Sequence, residues 1–183
     1  MRSSNMIFGF RLLTIYPKYI GYSLLAAAML LLASCASGPK PVLPIPLAIS
    51  IKADNEINLD SHKRPSPLKI VVYELKSSAA FESADFFSLS QKDQATLGGD
   101  LLGREEIFLR PGETKTLTRK GYSDTTVIGV LAEFRDIDKA VWRAMATVPA
   151  AEQAGLLSSV RGGPKEKTYQ IIVDPLSVKI LPL

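Results

Sequence analysis

Along most of this chain, apolar residues recur at every second position. Leu47, Ile49 and Ile51 alternate with Ala48, Ser50 and Lys52, and Leu176, Val178 and Ile180 alternate with Ser177, Lys179 and Leu181. This is the pattern of a strand with one face buried. Between them lie six further strand-like stretches: 68–76, 105–109, 114–119, 126–134, 140–148 and 168–173. RPGE at 110–113 and DP at 174–175 are turn chemistry that joins neighbouring strands. Eight short strands, turn signals and no alternating helices predict an all-β fold, a two-sheet β-sandwich. Around Trp142, one face carries Trp142, Ala144, Ala146 and Val148 and the other Arg143 and Thr147, so Trp142 reads as a core anchor.

Three stretches break the period of two. In AAFESADFFSLSQKDQATLGGDLLG, 79–103, Phe81, Phe86, Phe87, Leu89 and Leu97 are spaced nearer to helical turns, with a Gly-Gly stop at 98–99. One or two short helices are expected there, inserted between the second and third strands. PAAEQAGLLSSVRGGP, 149–164, is a second long connection, either a weak helix or a mobile loop on the surface. The third is IGYSLLAAAMLLLA, beginning at Ile20, preceded by a segment whose only charges are Arg2, Arg11 and Lys18. A basic segment followed by a short apolar one is a secretion signal. The run falls short of the roughly twenty apolar residues a membrane-spanning helix requires, and Pro17, Lys18 and Gly21 interrupt its extension.

The signal closes on Cys35, the one cysteine of the chain. Leu32-Ala33-Ser34-Cys35 resembles the bacterial lipobox. In lipoproteins of that kind the thiol is diacylglycerated, the chain is cut before it and the new N-terminus is acylated. A lone cysteine in an exported chain has no intramolecular partner, which otherwise leaves a reactive thiol or an intermolecular bridge. One acyl chain anchors only marginally, at about 0.8 kcal/mol per buried methylene, so two or three make attachment effectively permanent. Ala36 follows, where an aspartate would mark inner-membrane retention under the enterobacterial sorting pattern; by that resemblance the destination is the outer membrane, facing the periplasm. The expected organisation is a signal peptide at 1–34, an anchor and tether at 35–46 and the sandwich at 47–183. Prolines at 39, 41, 44 and 46 favour an extended tether, although Val42 to Leu47 could also lie along a sheet edge.

Cleavage before Cys35 leaves 149 residues, enough for one domain. It removes three of the 22 basic residues and no acidic one, so 19 basic stand against 18 acidic residues. Nucleic acid thereby loses its compositional argument as a partner. One cysteine and one histidine exclude disulfide frameworks and Cys/His metal sites, and no Gly-Lys-Ser/Thr follows Gly98-Gly99 to make a phosphate loop, so no cofactor is expected. His62 lies in the polar stretch DSHKRPSP without an evident nucleophile or orienting carboxylate. Glu105 and Glu106, adjacent on a strand, face opposite sides. Asp136 and Asp138 have the spacing of two calcium ligands but lack the glycine and terminal glutamate of an EF-hand, and read as a solvated turn. The expectation is a binding or assembly module and not an enzyme. A stand-alone periplasmic lipoprotein binding a small molecule or glycan is the alternative, but alternation turns few aromatics outward.

Taken together, the lipobox, INLDSHKRPSPLKIVVYELK at 57–76, FESADFFSL at 81–89, LGGDLLGREEIFLRPGE at 97–113 and IGVLAEFRDIDKAVWR at 128–143 resemble the outer-membrane lipoprotein of type VI secretion systems, the TssJ family. The resemblance runs from about Leu47 to Val148. It implies a transthyretin-like two-sheet sandwich with a small helical addition, tethered to the outer membrane. It also implies binding to the periplasmic C-terminal region of the inner-membrane protein TssM, in an envelope-spanning complex that includes TssL. The family contacts its partner through the loop between the first two strands, which corresponds here to Asp60, Ser61, His62, Lys63, Arg64, Pro65 and Ser66. Where the family often carries Asn-Pro-Asp and a glycine, this chain reads Asn58-Leu59-Asp60 and no glycine follows in the loop. Pro65 and Pro67 restrict the backbone and lower the entropy lost on docking, while His62, Lys63 and Arg64 supply charge for steering.

Overall fold

The computed structural model describes residues 42–150 and 164–183. Cys35 and the signal segment lie outside this range, as does nearly all of the 149–164 connection.

Among the described residues, eight strands form two four-stranded sheets. The first has the order β4-β1-β7-β8, with β1 at Leu47–Ala53, β4 at Thr114–Arg119, β7 at Lys167–Asp174 and β8 at Ser177–Pro182. The second runs β3-β2-β5-β6, with β2 at Leu68–Leu75, β3 at Leu101–Leu109, β5 at Val127–Ala132 and β6 at Arg143–Thr147. Neighbours are antiparallel except β1 and β7, which run parallel with Ile51 opposite Ile171. The sheets face each other over one core, in which Leu47, Ile49 and Ile51 meet Leu68, Ile70 and Val72. The alternation along β1 is thus the direct cause of its position: its odd-numbered residues are buried and Lys52 is exposed. A parallel bridge from Val141 to Ser177 ties the two sheets along one side.

The outer face of the second sheet has its own apolar cover, since β2 is buried on both faces. Two short helices, α1 (Ala79–Ser83) and α2 (Phe86–Leu97), lie in the insert. They bring Phe81, Leu89 and Leu97 onto Val71, Tyr73 and Leu75. Asp85 caps α2 by accepting from the Ser88 N–H at 2.9 Å. A single 3₁₀ turn at Gly98–Asp100 ends the insert, and β3 already begins at Leu101, so residues 101–103 belong to the sheet and not to the helical segment.

Trp142 is half-buried and packs against both apolar clusters. Its ring meets Phe86 edge-on at 5.5 Å, and the Arg143 guanidinium lies 4.8 Å from its centroid. Arg143, on the opposite face from Ala144 and Ala146, donates to the carbonyls of Phe81 and Ala84 at 2.7 and 3.0 Å, closing the end of α1.

Ile45, immediately before β1, is buried in the core, and the Lys167 N–H donates to the Pro46 carbonyl at 2.9 Å. The last residues of the expected tether are therefore seated on the domain.

Candidate docking loop and the pole that carries it

β1 ends at Ala53 at one pole of the sandwich, where the β1–β2 loop, 54–67, meets the other connections. The Asp54 N–H donates to Val173 at 2.8 Å, and Asp54 accepts from the Gly112 N–H at 2.9 Å. Gly112 has a φ of 73°, which is what makes the β3–β4 turn require glycine; a Cβ there would also come within 2.4 Å of Asn55 Oδ1, the end of an exposed side chain. Asn58, with a φ of 50°, is nearly fully buried. Its Nδ2 donates to the Pro67 carbonyl at 2.7 Å, and its Oδ1 accepts from the Arg135 N–H at 2.9 Å. Its own N–H reaches the Pro175 carbonyl at 3.4 Å. One side chain and its backbone thus hold three loops together.

Within the loop, Asp60 is the organising residue. Its Oδ1 accepts from the backbone N–H groups of His62 and Arg64 at 2.8 and 2.9 Å. Its Oδ2 accepts from Arg64 Nε at 2.8 Å and faces Arg64 Nη2 at 2.8 Å. The Asp60 carbonyl accepts from the Lys63 N–H, and the Asp60 N–H donates to the Arg64 carbonyl, both at 2.9 Å. Lys63 takes a left-handed φ of 60° to close the turn. The Arg64 backbone N–H, followed by its guanidinium and the His62 N–H, holds the Asp60 carboxyl below the usual carboxylate range.

Ser61, His62, Lys63, Arg64 and Pro65 are exposed. Ser66 is buried: its N–H donates to the Ile57 carbonyl at 3.2 Å and its hydroxyl to Arg64 at 3.4 Å, so it fastens the loop to the domain. His62 offers only its ring Nδ1 to Ser61 Oγ at 3.3 Å. A cleft opens beside the loop, lined by Leu59, Asp60, Ser61, His62 and Arg64 on one side and Arg135 and Asp136 on the other.

The remaining charged candidates lie apart from this pole or are already engaged. Glu105 faces the inter-sheet side and reaches Arg119 at 3.8 Å, whereas Glu106 pairs with Arg104 on the outer face. Asp136 accepts from Lys139 Nζ at 2.8 Å. Asn58 and Arg135 are the two residues of the pole that pattern reading does not pick out for a role. An asparagine between strands is a known tenant of the left-handed region, which gives Asn58 a weak signal; Arg135 has none.

The class so defined is a two-sheet β-sandwich with a helical cover on one sheet and a fastened, polar loop at one pole. Residues 46–175 match the family described as type VI secretion lipoprotein, with VasD, EvfM and TssJ among its names, and the chain belongs to that family. Among solved structures, it is similar to the type VI secretion lipoprotein TssJ1 of Pseudomonas aeruginosa, with 31% identity, TM-score 0.66, and 76% of this chain and 97% of that one covered. It is also similar to Serratia marcescens Lip, described as a membrane-bound component of the type VI secretion system, with 32% identity, TM-score 0.63, and coverage of 76% and 98%. A chain in a structure described as the TssM C-terminal domain (869-1107) from EAEC is 26% identical, with TM-score 0.57 and coverage of 74% and 99%. No curated protein matches the chain. The family is one of secretion-system lipoproteins and not a known enzyme family.

Proposed function

We propose that this protein is the outer-membrane lipoprotein of a type VI secretion membrane complex. In this reading it is anchored through acylated Cys35, faces the periplasm, has no catalytic role, and binds the periplasmic C-terminal region of TssM, with TssL in the same complex. Its docking element is the loop from Asp60 to Ser66.

The observation that carries this reading is the polarity of β1. The chain arrives from Cys35 at the Leu47 end, and the seven residues of β1 span about 20 Å at roughly 3.3 Å per residue before the loop begins. A sandwich held to a bilayer by its Leu47 end would turn the loop outward, toward a partner reaching across the periplasm. The loop is also pre-organised by Asp60, which lowers the ordering cost of docking. Further support comes from the structure described by the TssM domain. The stretch 869-1107 is longer than this whole chain, yet 74% of this chain covers 99% of the chain matched there, which supports reading the matched chain as a companion of that domain.

The test is titration of the acylated protein in detergent against the periplasmic C-terminal region of its TssM. Removing Ser61 to Arg64 is expected to abolish binding while leaving the circular dichroism spectrum unchanged, because an exposed connection contributes little to the core. A shortened protein that is folded and binds as tightly as the parent refutes the site.

A further inference from the structure

The cleft beside the loop is bordered by two connections that are distant in sequence, and of its two carboxylates and two guanidiniums only the carboxylates are fully paired. Of the two carboxylates that line it, Asp60 is taken by Arg64 and Asp136 by Lys139. Arg64 spends Nε and Nη2 on Asp60, yet its side chain is 74% exposed, leaving Nη1 for another acceptor. Arg135 is exposed, and its guanidinium has no ion pair or hydrogen bond among the described residues. Asp138 is exposed as well but does not line the cleft. What remains there, among the described residues, is one guanidinium without a partner and one partly engaged, contributed by different connections. A guanidinium presents donors in a planar fork that matches a carboxylate.

The backbone of Arg135 is fixed relative to the loop. Its N–H donates to Asn58 Oδ1 at 2.9 Å, while the same amide donates from Nδ2 to Pro67 at 2.7 Å, where the loop rejoins β2. Asn58 therefore sets the spacing between the two walls. Its buried amide uses both ends: aspartate loses the donor, alanine loses both, and glutamine carries the amide one methylene further from the backbone.

From this juxtaposition we infer that Arg135 completes the docking surface begun by Asp60–Ser66: the cleft receives a carboxylate side chain of the docking protein between Arg135 and Arg64, with Asn58 as the positioning residue. The inference rests on the docking role proposed for the loop and adds to it a second wall and the chemistry of the group that enters.

The experiment compares Arg135→Glu, Arg135→Lys and Asn58→Gly in the full acylated protein with the parent and the loop-shortened form, titrated against the TssM periplasmic region from about 50 to 500 mM salt. Asn58→Gly keeps access to the left-handed backbone while removing the bridging amide. Arg135→Glu is expected to weaken binding at least tenfold at low salt and to flatten its salt dependence, since a lost charge pair removes a screened attraction. Arg135→Lys is expected to lose less. A glutamate or aspartate of the partner, reversed to arginine, should restore binding to Arg135→Glu and weaken it with the parent. Asn58→Gly and Arg135→Glu should be less than additive in combination, because they act on the same wall. If Asn58→Gly fails to fold, the Arg135 series still decides the matter. Loss of binding on loop shortening, together with parental affinity and salt dependence in Arg135→Glu, overturns this inference alone. Undiminished binding by the folded, loop-shortened form overturns the docking role itself.

Discussion

Glu74 of β2 and Arg119 of β4 face each other across the interior of the sandwich, Oε1 to Nη1 at 3.2 Å, with the glutamate side chain wholly buried. Thr125 donates to the other carboxylate oxygen at 3.2 Å. The contact is an ion pair rather than an aligned hydrogen bond, and the same guanidinium reaches the half-exposed Glu105 at 3.8 Å, so the glutamate end of the pair is the buried one. Removing one partner of a buried pair leaves an uncompensated charge, at a cost of about 3–5 kcal/mol, whereas replacing both by apolar groups of similar volume is often neutral or stabilising. Arg119→Met should therefore lower the urea midpoint sharply, and Glu74→Leu with Arg119→Met should recover most of the loss. A mild effect of Arg119→Met alone would mean that water reaches Glu74.

The helical cover makes its own prediction. Gly129 of β5 lies under Phe81, and a Cβ there would stand 3.1 Å from two ring atoms and 3.3 Å from Leu75 Cδ1. The ring is fully buried and 5.5 Å from that of Tyr73, so it has little room to yield. Gly129→Ala should destabilise by about 1–3 kcal/mol, the usual cost of overpacking. Phe81→Leu should relieve part of it in the double variant, although alone it loses packing. Denaturant midpoints of the two single variants and the double variant provide the check; strict additivity would place the strain elsewhere.

The strands were legible because their chemistry is local. Alternation in Leu47–Ile51 and Leu176–Ile180 marked both the strand and its buried face, and Pro-Gly and Asp-Pro marked the turns. The start of β3 was not legible. The register against β2 shifts between Glu74 and Leu75, with Gly103 opposite the first and Leu101 opposite the second, so Leu102 is an extra residue. The bulge breaks the alternation that would announce a strand. The parallel pairing of β1 with β7 and the burial of Glu74 depend on contacts between distant residues, which no window of sequence contains. The loop could be located from Asp60 to Ser66, but not the fixing of Arg135 by Asn58, 77 residues away. Nor does the sequence separate exposed His62, Lys63 and Arg64 from Ser66, which turns inward.

Anchoring is testable at one residue. If Cys35 carries the acyl chains, Cys35→Ser should abolish incorporation of labelled palmitate and leave either the uncut precursor or a soluble periplasmic form. Intact mass should read the parent as the chain from Cys35 plus lipid. A mature parent protein without lipid removes the proposal, and with it the argument from the polarity of β1.

The last prediction concerns how the proposed docking loop keeps its shape. The Asp60 side chain binds backbone donors on the far arm of the turn, and its carboxyl is held below the ordinary range first by the Arg64 N–H. Because its folded-state value lies below the unfolded one, near 3.9, its contribution is fully present above that pH. It is lost only as pH falls through the lowered value. The loop should therefore keep one conformation from pH 8 to pH 5, with the His62 and Arg64 amide resonances moving together with the Asp60 carboxyl, below the pH at which an unfolded aspartate titrates. Asp60→Asn retains an oxygen for the two backbone donors but loses the guanidinium pairing, so it should loosen the loop less than Asp60→Ala, which loses both. The measurement is amide exchange at His62 and Arg64, read beside affinity for the TssM region: protection and affinity should fall in the order parent, Asp60→Asn, Asp60→Ala. Amides that titrate at or above the pH of an unfolded aspartate, or an alanine variant with parental protection, would show that the chain closes this turn without the carboxylate.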